Sequence, residues 1–271
     1  MSVRVSRYVP FATGGLQSLL QYRSMFVVTG VTAAAGAAVT VFLWRAVYAD
    51  APGGGTGPGG FTPASITTYL LVAQVLQVLH ANRVDDEVAA EVYRGDVAVM
   101  LVRPVSYPLV RLFACLPVVA ANAVLVGVPV LLLFSFLVPL TTPRPVDAVL
   151  FAVSTVLSVL IAFCVNLLTG MTGFVTTNTW GVRMVKQSVV AFFAGQLVPI
   201  ALMPGPLAAV AGALPFKGMV DGPLTLLLGR YDGVGGAVAV LAQQAGWAAG
   251  LTVLCAVLWR AALGRLEVLG G

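Results

Sequence analysis

The residues most suited to chemistry lie in one charged segment, residues 83–96, between two long apolar runs. It holds five of the ten acidic residues of the chain, namely Asp85, Asp86, Glu87, Glu91 and Asp96. Carboxylates form strong charge-assisted hydrogen bonds with basic partners, but this spacing matches no metal-binding motif and no catalytic carboxylate pair. The segment is therefore expected to bind another macromolecule rather than to catalyse a reaction.

The spacing within residues 83–96 predicts a short amphipathic helix. Val84, Val88 and Val92 recur at every fourth position and form an apolar strip. The acidic residues of the first turn complement the helix dipole, and Gly95 can end the helix with a positive φ. A solvated loop would explain the charges but not this order. The predicted contact residues are the charged ones and the terminal glycine: Asp86, Glu87, Glu91, Arg94, Gly95 and Asp96.

The rest of the chain has the composition of an integral membrane protein. Hydrophobic residues make up 59% of it, charged residues 9%, and the mean hydropathy is +0.97. Its apolar runs reach the roughly 17 to 25 residues that a helix needs to cross a bilayer, and they lack the alternation of a membrane β-barrel. We expect an all-α membrane domain covering residues 1–271. Six spans are predicted, at residues 25–47, 64–81, 112–138, 148–174, 188–203 and 237–258.

The distribution of basic residues predicts the orientation of these spans. With the N-terminus in the cytoplasm, eleven of the fifteen basic residues lie on the cytoplasmic side, and only Arg45, Arg144, Lys217 and Arg230 lie outside. Positive charge favours the cytoplasmic side of membrane proteins. Both termini are therefore expected in the cytoplasm, and the net positive charge suits contact with anionic lipid rather than with nucleic acid.

Three segments outside the spans have their own patterns. Residues 1–24 alternate apolar and basic side chains, which favours an interfacial elbow helix over a disordered basic tail. Residues 51–60 are rich in glycine but lack the Gly-Lys-Ser/Thr of a phosphate-binding loop, so a linker outside the membrane is expected. Residues 204–236 contain apolar pieces too short to cross the membrane. They favour a partly re-entrant outer segment over a mobile loop.

The spans themselves offer little for catalysis. Their embedded polar groups are mostly amides, whereas proton-coupled transporters usually carry buried carboxylates or histidines. No zinc-protease, serine-hydrolase or carboxylate-pair motif is present, and His80 and the three cysteines lack the spacing of a metal site. The amides favour packing between helices, and a minority are expected to line a substrate path. The candidates for that path are Asn166, Gln196 and Pro199.

A series of short motifs along the chain resembles the ABC type-2 family of ATP-binding-cassette transporter permeases. Each motif alone is weakly diagnostic, so the resemblance depends on their order and spacing. The motifs are Gln21-Tyr22-Arg23, Trp44, residues 91–96, 101–104, 166–170, 195–199 and 214–216, Pro223 and Gly270-Gly271.

The resemblance implies a function and a set of partners. Permeases of this family pair with a second permease, identical or related, and with two cytoplasmic ATPases that bind ATP and magnesium. Residues 83–96 would then be the coupling helix in a groove of the ATPase, and the first and fifth spans would face the dimer path. The chain itself has no Walker motif, so it is expected to bind no cofactor.

On this basis the chain is expected to be an exporter permease in a bacterial cytoplasmic membrane. An uncharged path suits amphiphilic or hydrophobic substrates. Two alternatives remain open at this point. One is a membrane subunit that senses or assembles without transporting, and the other is an intramembrane enzyme.

Overall fold

Every regular element of the described chain is helical, which confirms the predicted all-α class. The computed structural model describes residues 8, 10–14, 23–49, 57–97, 100, 105–176 and 178–266. The helices are α1 (Arg23–Ala49), α2 (Pro63–His80), α3 (Val84–Arg94), α4 (Tyr107–Asn122), α5 (Val128–Leu137), α6 (Pro145–Met171), α7 (Thr179–Phe193), α8 (Gly205–Ala213), α9 (Asp221–Leu227) and α10 (Gly233–Leu266). Short 3-10 turns connect several of them, at Pro58–Gly60, Thr172–Phe174, Ile200–Leu202 and Pro215–Gly218.

Some of the predictions fall outside the described residues. These are most of the interfacial segment 1–24, residues 51–56 of the glycine-rich loop, the motif at residues 101–104 and the terminal Gly270-Gly271. They stay predictions.

Five helical segments of the described chain are long and apolar enough to cross a membrane. They are Met25–Val47, Pro63–Arg94, Tyr107–Leu137, Pro145–Phe174 and Gly233–Leu263. The second of these includes both α2 and α3, which are separated by non-helical residues 81–83. Five of the six predicted spans therefore coincide with long apolar helices.

The predicted helical span at residues 188–203 is wrong. Helix α7 ends at Phe193 after 15 residues, and the chain turns at Gly195, which has a φ of 81°. Pro199 and Pro204 flank the 3-10 turn that follows. Proline donates no backbone hydrogen bond and glycine adopts positive φ without steric cost, so the helix cannot continue through this stretch. The hydropathy of the segment concealed the interruption.

The third predicted span contains two prolines and a π-helical turn between them. Pro117 lies inside α4, and Pro129 lies in the first turn of α5. Between the two helices, Ala123–Gly127 forms a π-helical turn. π turns are rare and occur mostly as single-turn insertions inside α-helices. The segment from Tyr107 to Leu137 therefore stays helical along its length.

Helix α2 is at the centre of the packing, and α1 and α10 are at its edge. Within the most apolar window of each span, 72% of residues are buried for Pro63–Arg94, against 17% for Met25–Val47 and 22% for Gly233–Leu263. The main core joins α2 to α6, α9 and α10, and a second cluster joins it to α1 and α5. A helix that is apolar on its exposed face is typical of a protein surrounded by lipid.

Helices α6 and α10 pack side by side and run in the same direction. Near their first halves, Ser154 Oγ donates a hydrogen bond to Gln244 Oε1 at 2.7 Å. Further along both helices, the Cys255 thiol lies 3.6 Å from the carbonyl oxygen of Cys164. Because the contacts advance together along both helices, the chain between them must return to the end where α6 began.

Part of that return is a hairpin, defined here as residues 204–228. It contains α8 and α9, joined by the 3-10 turn Pro215–Gly218. The turn packs between the interiors of α6 and α10, where a Cβ on Gly218 would lie 3.0 Å from Ile161 Cδ1 and 3.2 Å from Gln244 Cγ. The two short apolar pieces predicted in this region are therefore helices. Leu224 and Leu227 of α9 belong to the main core, whereas Leu207 and Val210 of α8 are exposed.

Candidate functional site: the charged helix and its anchors

Helix α3 covers most of the charged segment and is bracketed by two left-handed residues. Arg83 precedes it with a φ of 56°, and Gly95 follows it with a φ of 78°. The Gly95 amide donates to the carbonyl of Val92, and the Asp96 amide donates to that of Glu91 at 3.0 Å. These two bonds form a Schellman motif, the usual end of a helix at glycine. The predicted positive φ at Gly95 is confirmed.

The apolar strip of α3 packs on the end of α6. Val84 and Val88 are buried, as the spacing predicts, and Val92 is half-buried. The contact is so close that a Cβ on Gly170 would lie 2.8 Å from Val88 Cβ and 3.0 Å from the carbonyl oxygen of Asp85. A glycine on α6 thus lets the two backbones approach, which fixes the position of α3 along α6.

The acidic side of α3 is bound by a basic residue of α4. Arg111 forms ion pairs with Glu91 and, at 3.0 Å, with Glu87. The hydroxyl of Tyr107 donates to Glu91 Oε2 at 2.6 Å. The Glu91 side chain is only 16% exposed. Its carboxylate is therefore already satisfied inside the chain.

Two basic residues of α7 bind the first turn of α3. Lys186 Nζ donates to Asp85 Oδ2 at 2.6 Å and to Asn166 Oδ1 at 2.8 Å, and Arg183 pairs with Asp86. Arg183 and Lys186 are three residues apart, so they share one face of their helix. We call the contacts of α3 with Tyr107, Arg111, Arg183 and Lys186 the clasp. It joins one short helix to two other helices, α4 and α7, that are far apart in sequence.

The opposite side of α3 is exposed. Tyr93 has 77% of its surface exposed, and Arg94 and Asp96 form an ion pair of 3.1 Å with more than half of each side chain exposed. Exposed ion pairs contribute at most about 1 kcal/mol to stability, so this pair is available to a partner. We call Tyr93, Arg94 and Asp96 the open face of α3.

The structure divides the six predicted contact residues into two groups. Asp86, Glu87 and Glu91 belong to the clasp, whereas Arg94, Gly95 and Asp96 lie at the exposed end. Sequence reasoning missed Tyr93, and it missed the basic anchors of the clasp. The sequence did contain a signal for the basic anchors. Each of them lies shortly before the start of a predicted span, on the side of the membrane where the charged segment is predicted.

A cavity of about 800 Å³ with polar and apolar walls lies beside the clasp, between α2, α3, α6, α7 and the chain that follows α7. Two of the three predicted path residues, Asn166 and Gln196, line it, and Pro199 does not. Asn166 Nδ2 donates to Asn82 Oδ1 at 2.9 Å and to the carbonyl of His80 at 3.0 Å. His80 in turn lies 2.6 Å from Ser158 Oγ. The volume is in the range of small-molecule sites.

The end of the molecule far from α3 is held by several hydrogen bonds and by an ion pair of Arg144 with Asp147 at 2.7 Å. Tyr69 Oη donates to the carbonyl of Gly195 at 2.9 Å and to Asp221 at 3.1 Å. Gln244 Nε2 donates to the carbonyl of Gly218 at 2.8 Å. Tyr231 donates to Asp147 Oδ1 at 2.5 Å, and this bond raises the pKa of the phenol above its usual value. The bonds to Asp221 and Gly218 tie the hairpin to α2 and α10, and the Tyr231 bond ties the segment after the hairpin to α6.

Comparison with known proteins gives a family for this architecture. No curated protein and no solved structure matches the chain. The family model described as "ABC-2 family transporter protein" matches residues 34–270, which include all ten helices except the beginning of α1. With its long apolar helices and this match over most of its length, the chain belongs to the ABC-2 transporter family and is a multi-pass membrane protein of the permease type.

Proposed function

We propose that this chain is the membrane-spanning permease subunit of an ATP-driven exporter, and that α3 is its contact with a separate cytoplasmic ATPase. The observation that carries the proposal is the two-sided construction of α3. One side is bound by the clasp, and the other side presents the open face. An element that receives motion from a partner needs both a free surface and firm attachment to the parts that move.

In this proposal the chain crosses the cytoplasmic membrane of a bacterium six times. The parallel packing of α6 and α10 supports a crossing between them. Helix α7 would begin that crossing, and residues 194–203 would complete it in irregular form. Irregular backbone is tolerated at membrane depth when protein covers it. The hairpin would then enter the membrane again from outside, and both termini would lie in the cytoplasm, as the basic residues indicate.

The clasp would transmit the movement of the ATPase to the spans. Arg111 belongs to α4, and Arg183 and Lys186 belong to α7. A tilt or shift of α3 would therefore pull on both helices at once. Charged pairs act over longer distances than apolar contacts and tolerate small displacements, which suits a moving joint. Binding ATP and magnesium would remain the task of the partner.

A second permease copy, identical or related, would complete the transporter. Helix α1 offers a surface for it, because Val27, Val31, Val39 and Leu43 are at least 60% exposed along its length. Lipid would cover the remaining apolar surface. Large exposed apolar faces are typical of contacts with another protein or with membrane.

The open face supplies the test of the proposed function. The full chain is purified from its native membrane with an affinity tag, and the ATPase that accompanies it is identified. Tyr93→Ala and Arg94→Glu should each reduce the recovered ATPase about tenfold or more, because exposed tyrosine and arginine commonly dominate interface energies. Neither change touches the clasp, so the amount of folded permease should stay the same.

The control is Arg45→Glu, the same charge reversal on an exposed residue of α1. It should leave the recovered ATPase unchanged. Glu91→Arg is a poorer test, since it would also break the bonds to Arg111 and Tyr107. Full ATPase recovery and full transport in both open-face variants would contradict the role of α3.

A further inference from the structure

Tyr107, a residue of the clasp, has a second contact, with the last helix of the chain. Its ring stacks on the indole of Trp259 in α10, with 4.3 Å between the ring centroids and 4° between the ring planes. Both residues are buried, Tyr107 with 3% and Trp259 with 6% of its surface exposed. Stacked aromatic pairs stabilise a structure beyond the area that they bury. The contact therefore holds the Tyr107 ring in one plane.

Tyr107 depends on such a contact because it is the first residue of α4. Inside a helix, the preceding turn restricts the rotamers of a side chain. No turn of α4 precedes Tyr107, so neighbouring side chains must fix the direction of its ring. Arg111 lies 5.3 Å from the ring centroid, and the indole of Trp259 covers the ring at 4.3 Å. The indole is the flat partner, so it determines the plane in which the phenol hydroxyl lies.

The direction of this ring decides whether the hydroxyl reaches α3. Tyr107 Oη donates to Glu91 Oε2 at 2.6 Å, whereas Arg111 binds the other carboxylate oxygen, Oε1. The two donors thus occupy separate oxygens of one carboxylate. Hydrogen bonds to a charged acceptor are strong, but they weaken steeply when the donor is misaligned. A tilt of the ring would cost this bond and leave Oε2 without its donor.

Trp259 is fixed from a second direction. Phe174, in the turn after α6, meets the indole edge to face, with 6.0 Å between centroids and 67° between planes. The same turn packs on α3, where a Cβ on Gly173 would lie 3.3 Å from Ala89 Cα. The indole therefore lies between the start of α4 and the turn after α6, and both of these segments contact α3.

We propose that Trp259 is a positioning residue of the clasp. It holds the Tyr107 ring so that the hydroxyl stays bonded to Glu91, and it thereby connects α10 to α3. The inference rests on the proposed function in one respect, since it makes α10 a third helix that follows the movement of α3. The links to α4 and α7 include ion pairs, whereas this link is an uncharged stack that salt does not screen.

The test is a double-mutant cycle on the isolated full chain in detergent, measured by its melting temperature. Tyr107→Phe removes the hydroxyl and keeps a stacked ring. It should lower the melting temperature by about 3 to 6 °C, the loss of one hydrogen bond to a charged group in a chain of this size. In Trp259→Leu the ring is already free and the bond already lost. Tyr107→Phe should cost about 1 °C or less in that background.

Two further backgrounds show whether the stack is responsible. Trp259→Phe keeps a flat ring beside Tyr107, so Tyr107→Phe should again have its full cost. Trp247→Leu makes the same truncation elsewhere on α10, at a partly buried residue of the main core, and leaves the stack intact. The full cost is expected there too. If Trp259→Leu does not accumulate, Trp259→Met supplies the same comparison with a longer and more flexible side chain.

The complex with the ATPase gives a readout that a packing role would not change. Tyr107→Phe and Trp259→Leu should each lower the maximal rate of the permease-stimulated ATPase about fivefold, and the double variant should lower it no further. The KM for ATP should stay the same, because the nucleotide binds to the partner. Neither variant touches the open face, so the amount of recovered ATPase should also stay the same.

Several results would overturn the proposal. Equal costs of Tyr107→Phe in the unmodified chain and in Trp259→Leu would show that the indole only fills space. No cost in the unmodified chain would show that the hydroxyl bond holds nothing. A small cost in Trp247→Leu as well would assign the effect to general loosening of the core. A double variant that stimulates the ATPase less than either single variant would mean that the two residues act separately.

The melting-temperature cycle needs no ATPase, which separates this inference from the proposed function. Full ATPase recovery in Tyr93→Ala and Arg94→Glu would contradict the role of α3, and the cycle would still decide whether Trp259 positions Tyr107. Conversely, additive melting temperatures would remove Trp259 from the clasp and leave the contact of α3 with the ATPase untouched.

Discussion

The two ends of this molecule are held together by different kinds of contact. At the α3 end, the clasp consists of ion pairs between long side chains, such as Lys186 with Asp85. At the opposite end, the hairpin and the chain before it are held by neutral side chains that donate to backbone carbonyls and by glycines without room for a side chain, with one ion pair nearby, Arg144 with Asp147. Long charged side chains follow a shift of the helix that they bind, whereas close backbone packing does not. We therefore expect a movable joint at the α3 end, where the close contact at Gly170 is the exception, and a fixed support at the other end.

The largest effect is expected where the fixed end is tightest. Gly195 has positive φ, and a Cβ there would lie 2.7 Å from Tyr69 Oη. Gly195→Ala should lower the free energy of unfolding by about 2 to 5 kcal/mol, from backbone strain and overpacking together. The measurement is the apparent melting temperature of the purified chain in detergent, together with its recovery.

A second glycine separates the two causes. Gly233 also has positive φ, at 61°, but nothing lies within 4 Å of a Cβ there. Gly233→Ala should therefore show the strain alone and cost less than Gly195→Ala. Equal melting temperatures for the two variants would mean that the contact with Tyr69 is not a rigid support.

At the movable end, the corresponding change is Gly170→Ala. The new methyl group would press on Val88 and on the backbone of Asp85, so α3 would have to shift. We expect a loss of about 1 to 3 kcal/mol in stability. The larger consequence should be functional, because the displaced helix would weaken ATPase stimulation while the chain remains folded.

Gly181→Ala is the matched control for this prediction. Gly181 lies in α7, and a Cβ there would meet nothing within 4 Å. Alanine is the better helix former, so this variant should be neutral or slightly stabilising. Normal ATPase stimulation in Gly170→Ala would argue against a close fit between α3 and α6 as part of the joint.

The contrast between the two ends was only partly visible in the sequence. Val84, Val88 and Gly95 predicted α3 correctly, because short helices follow local spacing and local caps. The partners of the acidic residues could not be read in the same way. Arg111 and Lys186 lie on other helices, and only the tertiary packing of α4 and α7 brings them to α3. For that reason Glu91 was expected to contact a partner protein, although its carboxylate is bound within the chain.

The fixed end was harder to predict. In the sequence, Gln196 and Gln244 look like any other amide within an apolar segment. Hydropathy does not distinguish an amide that packs between helices from one that lines a cavity. The break after Phe193 was missed because the residues around Gly195 are as apolar as those of a span. Hydropathy reports the preference for lipid or core. It does not report whether the backbone is helical.

The smallest effect, and the finest test of the comparison, comes from two adjacent glutamines of α10. Gln244 is 1% exposed, accepts from Ser154 Oγ at 2.7 Å and donates to the carbonyl of Gly218 at 2.8 Å. Gln243 is exposed and donates to the carbonyl of Gly212 at 2.6 Å. Gln244→Leu should cost about 1 to 2 kcal/mol, since buried hydrogen bonds in membrane proteins average below 1 kcal/mol each. Gln243→Leu should cost clearly less, because water or lipid head groups can replace its single bond.

Both melting temperatures should be insensitive to salt, in contrast to those of clasp variants, because neutral bonds are not screened. Equal losses in the two variants, or a loss for Gln244→Leu that salt abolishes, would remove the distinction between a charged joint and a neutral support.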